Sequence, residues 1–278
     1  MSASGSISFG PRLLGSSCGT LHRALTVRPT AAIARATPLP SEPGAIVERA
    51  LEQHATFVKL MESFGIVVEV MDSHVDDPYE TAVTDAAVLF ENGALLTRPT
   101  AMARRAESDR LQSLFSRIDV PIAGHIAAPG LFDGGDVVVA GKTAFIGVGR
   151  RGNDIGRQGF AQVARAHGLA VVELPLASWV PSLSAVCAAV ADDVVVVADN
   201  AFDHGLMHGF RVFVLDPGES MGAGVLTLGP MHVAADMRFG ASLRRLRKAG
   251  IRVESLDLYE FAKVGITPSR MLLALRRA

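Results

Sequence analysis

A mixed α/β fold assembled from repeated strand-strand-helix-strand units is predicted by three observations. Hydrophobic residues make up 49% of the 278 and mean hydropathy is +0.31, enough for a large buried core. Pairs of short apolar runs joined by tight turns recur along the chain. Each pair is followed by a further strand, usually after a helical pattern, at a spacing of roughly 50 residues that marks internal repetition. A linear doubly wound α/β sheet is the competing architecture, but it requires single strands between helices rather than pairs.

The elements follow in order. Residues 24–29 form a first core strand, and 45–64 carry Ala50, Leu51, His54, Phe57, Val58, Leu60 and Met61 at helical spacing with Gly65 as the stop. Residues 66–70 return to strand. Strands at 86–90 and 94–97 flank Asn92-Gly93, a strong two-residue hairpin signal, and a helix over 106–117 leads to a strand near 120–123. The order repeats with strands at 137–140 and 144–147, a helix over 156–167 and a strand at 170–174. Strands at 185–190, 194–198 and 211–215 follow, the last after a polar segment with little helical signal. Strands at 225–228 and 231–234, a helix over 242–249 and a strand at 252–256 complete the series.

Charge and cysteine usage narrow the function classes. Formal net charge is -1 with mixed signs, so nothing suggests a nucleic-acid stripe or an anionic membrane partner, and the Arg244-Arg245-Leu246-Arg247-Lys248 run reads as a solvated helix face. No apolar run approaches the ~18 residues of a membrane span. Cys18 and Cys187 lie far apart without a secretory signal, pointing to reduced thiols and a cytoplasmic protein. Residues 1–41 contain no acid but include Arg12, Arg23, Arg28 and Arg35, a transit-peptide composition. Because 24–29 already read as core strand, the expectation is a flexible extension over 1–20 and a single domain over 21–278.

The most informative stretch is 129–153. Gly134 and Gly135 sit between Asp133 and Asp136, two strands follow around Gly141-Lys142, and Arg150-Arg151 closes the loop. An acid before one strand and a cation after the next can face one cleft. Asp133 and Asp136 also fit turn capping through hydrogen bonds to backbone N–H groups.

These residues, with Leu25 to Pro29, Gln53-His54, Thr84-Asp85-Ala86-Ala87-Val88, Leu96-Thr97-Arg98-Pro99, Arg104-Arg105, Ser184-Ala185-Val186 and Glu260-Phe261-Ala262-Lys263, carry a resemblance. In order and spacing the chain resembles the guanidino-group-modifying (amidinotransferase) superfamily, most closely the dimethylargininases, from about residue 21 to the C-terminus. The resemblance implies a five-bladed ββαβ α/β propeller, the pentein fold, with pseudo-fivefold repeats. It also implies hydrolysis of methylated arginine to citrulline and an amine by a nucleophilic cysteine and an acid-base histidine, with no cofactor and no metal. The expected partner is a small amino-acid or guanidino ligand, with no nucleic acid and no membrane; a homodimer stays open.

The binding half of that pattern is retained. Arg104 and Arg151 fall on carboxylate-binding arginines, whose planar guanidinium grips a carboxylate with two parallel bonds. Asp85 falls on an active-site acid and Asp133 on the acid that orients the histidine. Arg98, before Pro99, fits a scaffold ion pair.

The catalytic half is not retained. Pro181 stands at the histidine position and Pro268 at the cysteine position, and neither transfers a proton or attacks carbon. Two guanidinium-binding acids read as Tyr79 and Thr84. Among substitutes, Cys187 lies in an apolar strand without a cationic neighbour, Cys18 is no better placed, and Ser269 has no evident base. His204 and His208 stand four apart without a third ligand, and His54 and His125 default to structural or surface roles. The leading expectation is a non-catalytic or repurposed member that binds an amino acid or related carboxylate. The alternatives are an amidino hydrolase using other groups and a structural or partner-binding protein.

Overall fold

A computed structural model describes residues 13–73 and 77–278. Fifteen strands form five three-stranded sheets among them. In chain order they are β1 (Leu21–Val27), α1 (Val47–Ser63) and β2 (Val67–Met71); β3 (Ala87–Phe90), β4 (Gly93–Leu96), α2 (Ala106–Arg117) and β5 (Ile122–His125); β6 (Val137–Ala140), β7 (Thr143–Val148), α3 (Asp154–Ala166) and β8 (Ala170–Pro175). Then come α4 (Leu183–Val186), β9 (Cys187–Ala191), β10 (Val194–Ala198) and β11 (Arg211–Leu215); β12 (Leu226–Gly229), β13 (His232–Asp236), α5 (Gly240–Lys248) and β14 (Arg252–Leu256); and α6 (Tyr259–Ala262), α7 (Pro268–Met271) and β15 (Leu273–Arg277).

Each sheet joins an antiparallel pair to a third strand that runs parallel to the middle one. Thus β3 opposes β4 and β5 runs with β4, and the same pattern holds for β6-β7-β8, β9-β10-β11 and β12-β13-β14. The first sheet obeys the rule only because β15 supplies its outer member, pairing antiparallel with β1 while β2 runs parallel to it. The chain therefore closes its first unit with its last strand. That strand was not expected from the sequence: its alternation ends in Arg276-Arg277, and its partner lies some 250 positions earlier.

The connecting helices explain why the pairs alternate with helical patterns. A parallel third strand needs a crossover, and the apolar face of α1, α2 and α3 covers its sheet by burying Phe57, Phe115 and Phe160, none of which is exposed. Truncating any of these rings would cost about 3–5 kcal/mol. In the fourth unit the crossover holds only a single 3-10 turn, His204–Leu206, in keeping with the weak helical signal there.

Two local readings shift. The strand expected over 185–190 begins as the single helical turn α4, and strand geometry starts at Cys187. Of the extension expected over 1–20, residues 1–12 lie outside the described residues. Residues 13–20 run beside the C-terminus: Gly15 and Thr20 donate backbone bonds to Arg277 and Ala278, and Cys18 is buried.

Candidate functional site

The outer strand that opposes the middle one in each sheet is preceded by a short helical turn: Val83–Ala86 before β3, Gly134–Asp136 before β6, α4 before β9, Pro217–Ala223 before β12 and α7 before β15. These turns pack on one another, Val83–Ala86 against both Gly134–Asp136 and α7, and α4 against Gly134–Asp136, α7 and Pro217–Ala223. Side chains that are far apart in sequence meet where they converge. Asp85 comes from the first turn, Asp133 and Asp136 from the second, and Arg270 from α7.

Asp85 is the hub. It is fully buried, and its Oδ2 accepts from Arg104 Nη1 at 2.5 Å, Arg270 Nη2 at 2.6 Å and Arg151 Nη1 at 2.9 Å. Burial alone would raise its carboxyl, but the charges of Arg270, Arg151 and Arg104 outweigh that and hold it well below the usual carboxylate range. The opposite oxygen, Oδ1, has no hydrogen-bond partner. Gly135 lets this atom come close, since a Cβ there would stand 2.2 Å from Oδ1.

The three arginines differ in how far they are engaged. Arg104 is 2% exposed; its Nε and Nη2 grip Glu107 at 2.6 and 2.7 Å, Nη2 also reaches the Ala82 carbonyl, and Asp77 lies 3.8 Å away. Arg270 is 1% exposed and donates from Nη1 to the Gly265 carbonyl at 2.9 Å. Arg151 alone reaches solvent, with its side chain 24% exposed, and its Nη1 bridges Asp85 and Asp133, the latter at 3.2 Å. The loop holding it is fixed on both sides. Asn153 Oδ1 accepts from Gly156 N to cap α3 and from Leu131 N, and Gly152 takes a φ of 130° where a Cβ would sit 2.8 Å from the Leu131 carbonyl.

Asp133 does not cap its own turn; it accepts from Thr100 N at 2.6 Å and from Arg151. Asp136 caps the next unit, accepting from Leu183 N at 2.8 Å, while its Oδ2 is buried without a partner and burial pushes its carboxyl up to about 7. Arg98 donates to the Gly130 carbonyl at 3.3 Å, so the ion pair expected for it is replaced by a backbone bond.

One of the two prolines belongs to the turn that carries Arg270, and the other lies near the residues leading into it. Pro268 is the buried first residue of α7, where a missing N–H costs nothing, and a Cβ on Gly265 would stand 3.6 Å from Pro181. Among the described residues no thiol or imidazole hydrogen-bonds to Asp85, Asp133, Arg104, Arg151 or Arg270. Cys187 is fully buried and burial pushes its thiol far up; Cys18 is pushed up to about 11. His54 meets Thr26 Oγ1 at 3.0 Å, and burial lowers its imidazole to about 4. Ser269 Oγ donates to the Ser184 carbonyl, His204 Nε2 lies 3.1 Å from the Ala198 carbonyl, and Tyr79 OH accepts from Thr37 N. No group of three potential metal ligands occurs among the described residues.

Arg270 and Glu107 were missed by sequence reasoning. One signal was available for Arg270: a cation directly before the apolar run Met271-Leu272-Leu273-Ala274-Leu275 must be buried with a partner acid.

Comparison with known proteins adds the relationship. No family model matches the chain. A dimethylarginine dimethylaminohydrolase of Pseudomonas aeruginosa, solved as a cysteine-to-serine mutant complexed with citrulline, superimposes with a TM-score of 0.81 at 21% identity, covering 91% of this chain and 99% of that one. The N-terminal domain of ArgZ, a cyanobacterial arginine dihydrolase bound to its product, gives 0.80 at 16% identity over 92% and 97%. This chain shares with both an α/β fold built of small sheets. The N(G),N(G)-dimethylarginine dimethylaminohydrolase of Streptomyces coelicolor is 32% identical over 215 residues, 77% of this chain and 81% of the relative. The chain belongs to the dimethylarginine dimethylaminohydrolase family.

Proposed function

We propose that this chain is a non-hydrolytic member of its family, a cytoplasmic pseudoenzyme that binds a small carboxylate of the amino-acid class at Arg151. The observation that carries this reading is the state of Asp85: the acid that a guanidino substrate would meet is already bonded to three of the chain's own guanidinium groups. A substrate guanidinium would have to displace one of them. The thiols support the same conclusion, since both are buried and shifted away from the reactive thiolate.

We further propose that the five sheets are blades of a five-bladed α/β propeller. Their outer strands support this, since β6 packs on β9, β9 on β12 and β15 on β3, and β12 also packs on β1, the middle strand of the first sheet. A cavity of about 250 Å³ is lined by residues of β3, β6, β9, β12 and β15, as a central channel requires.

Within this frame the two expected carboxylate ligands separate. Arg104 is held by Glu107, Asp85 and Ala82 and has little left to offer. Arg151 uses only Nη1, so its Nε and Nη2 edge, on a partly exposed side chain, is the one suited to a bidentate carboxylate.

Titration calorimetry against citrulline, ornithine, arginine and methylated arginines tests this reading. Ornithine or citrulline binds, Arg151→Ala weakens the binding at least tenfold, and methylarginine yields no citrulline. The reading fails if nothing binds at millimolar ligand, if Arg151→Ala leaves affinity unchanged, or if pure protein releases citrulline in a reaction that a cleft mutation abolishes.

A further inference from the structure

Two atoms of the buried network are left without a hydrogen-bond partner. Asp85 Oδ1 and Arg270 Nε are both buried without a hydrogen-bond partner, and both border Gly135, at 2.2 and 3.4 Å from where its Cβ would be. Arg270 meets Asp85 through Nη2 on Oδ2 only. A free guanidinium beside a carboxylate pairs fork to fork, with two parallel bonds. Here the stem of Arg270, fixed in the single turn α7 and by the Gly265 carbonyl, holds the head in a one-bond approach and leaves a donor and an acceptor unused.

We propose that Arg270 is a built-in ligand: its guanidinium fills a buried guanidinium-binding site formed by Asp85, the Gly265 carbonyl and the Gly135 backbone, and thereby excludes guanidino compounds from the cleft. Arg270 is in this sense a specificity-determining residue. A small guanidinium cation freed from the stem fits the same place and can turn to use Asp85 Oδ1 as well. Removing the Arg270 head leaves Asp85 bonded to Arg104 and Arg151, so the surrounding network keeps its other bonds. This deepens the proposed reading of Asp85 as the acid that a guanidino ligand would meet.

The test uses the full chain carrying Arg270→Ala, with thermal unfolding followed at increasing millimolar methylguanidinium. The variant melts below the wild type, and methylguanidinium raises its Tm along a saturable curve. The same salt does not raise the wild-type Tm, and ammonium at equal concentration does not raise that of the variant. Combining Arg270→Ala with Asp85→Asn abolishes the rise. If Arg270→Ala is insoluble, its refolding yield with and without methylguanidinium gives the same readout. No saturable rise and no gain in yield, or an equal rise in the wild type, would overturn the proposal. Carboxylate binding by the wild type is measured separately, so a failure at Arg151 counts against that reading alone.

Discussion

Replacing Asp136 by Asn should make the protein more stable at alkaline pH, although it alters a buried, hydrogen-bonded acid. Asn keeps an oxygen to accept from Leu183 N, so the cap on α4 survives. What disappears is a carboxyl that burial raises from 3.8 to about 7, with no cation bonded to it and Oδ2 unpartnered. A raised folded-state value means that the group's contribution is fully present below 3.8 and is lost as pH rises through about 7. A shift of this size, at 1.36 kcal/mol per unit, amounts to about 4 kcal/mol between the two limits. Roughly 2–3 kcal/mol of it falls between about pH 5 and about pH 8. Urea unfolding of both proteins at these two pH values measures it: the difference in stability, variant minus wild type, should grow by that amount toward alkaline pH. Parallel stability curves would refute the reasoning, because they would mean that Asp136 ionises in the fold as easily as in the unfolded chain.

The same substitution at Asp85 should act in the opposite direction. Asp85→Asn removes the anion shared by three arginines, two of them fully buried, and should cost at least 3–5 kcal/mol near neutral pH by urea unfolding. Gly135→Ala places a methyl group 2.2 Å from Asp85 Oδ1 and should cost about 1–3 kcal/mol by the same measurement, whereas Val58→Ala on the half-buried face of α1 should stay well under that.

How much of this was legible in the sequence depends on the distance between partners. The strand pairs at 86–97 and 137–147 were readable because each is a local hairpin whose alternation and turn residues specify it, and both recur as β3-β4 and β6-β7. Asp133 and Arg151 were readable as one acid-cation wall because they stand only 18 positions apart across such a hairpin. The bond from Arg270 to Asp85 spans 185 positions, and neither residue's surroundings name the other. Similarly, β15 has a strand pattern of only five residues, and only the closure with β1 makes it a strand. The short turns before the opposing outer strands were too brief to show helical periodicity, yet they are the elements that bring the site together.

The persistence of Arg270 on Asp85 against free arginine follows from concentration. Both occupants present the same head group, so the difference between them lies in how strongly each is held near the acid. A tethered group competes with an effective concentration that is millimolar even for a loose linker and that reaches about 10⁵ M or more when the geometry is fixed. Arg270 is 1% exposed, its stem is packed and its Nη1 is bonded to the Gly265 carbonyl, which puts it far from the loose limit. Its one-bond approach forfeits a second hydrogen bond, and a net charged hydrogen bond is worth about 1.5–3 kcal/mol, a factor of roughly 10 to 100. That gain is too small to offset the tether at millimolar arginine. On the proposed reading, the site takes its ligand by the end that Arg151 can hold, and a guanidinium enters only when Arg270 is removed.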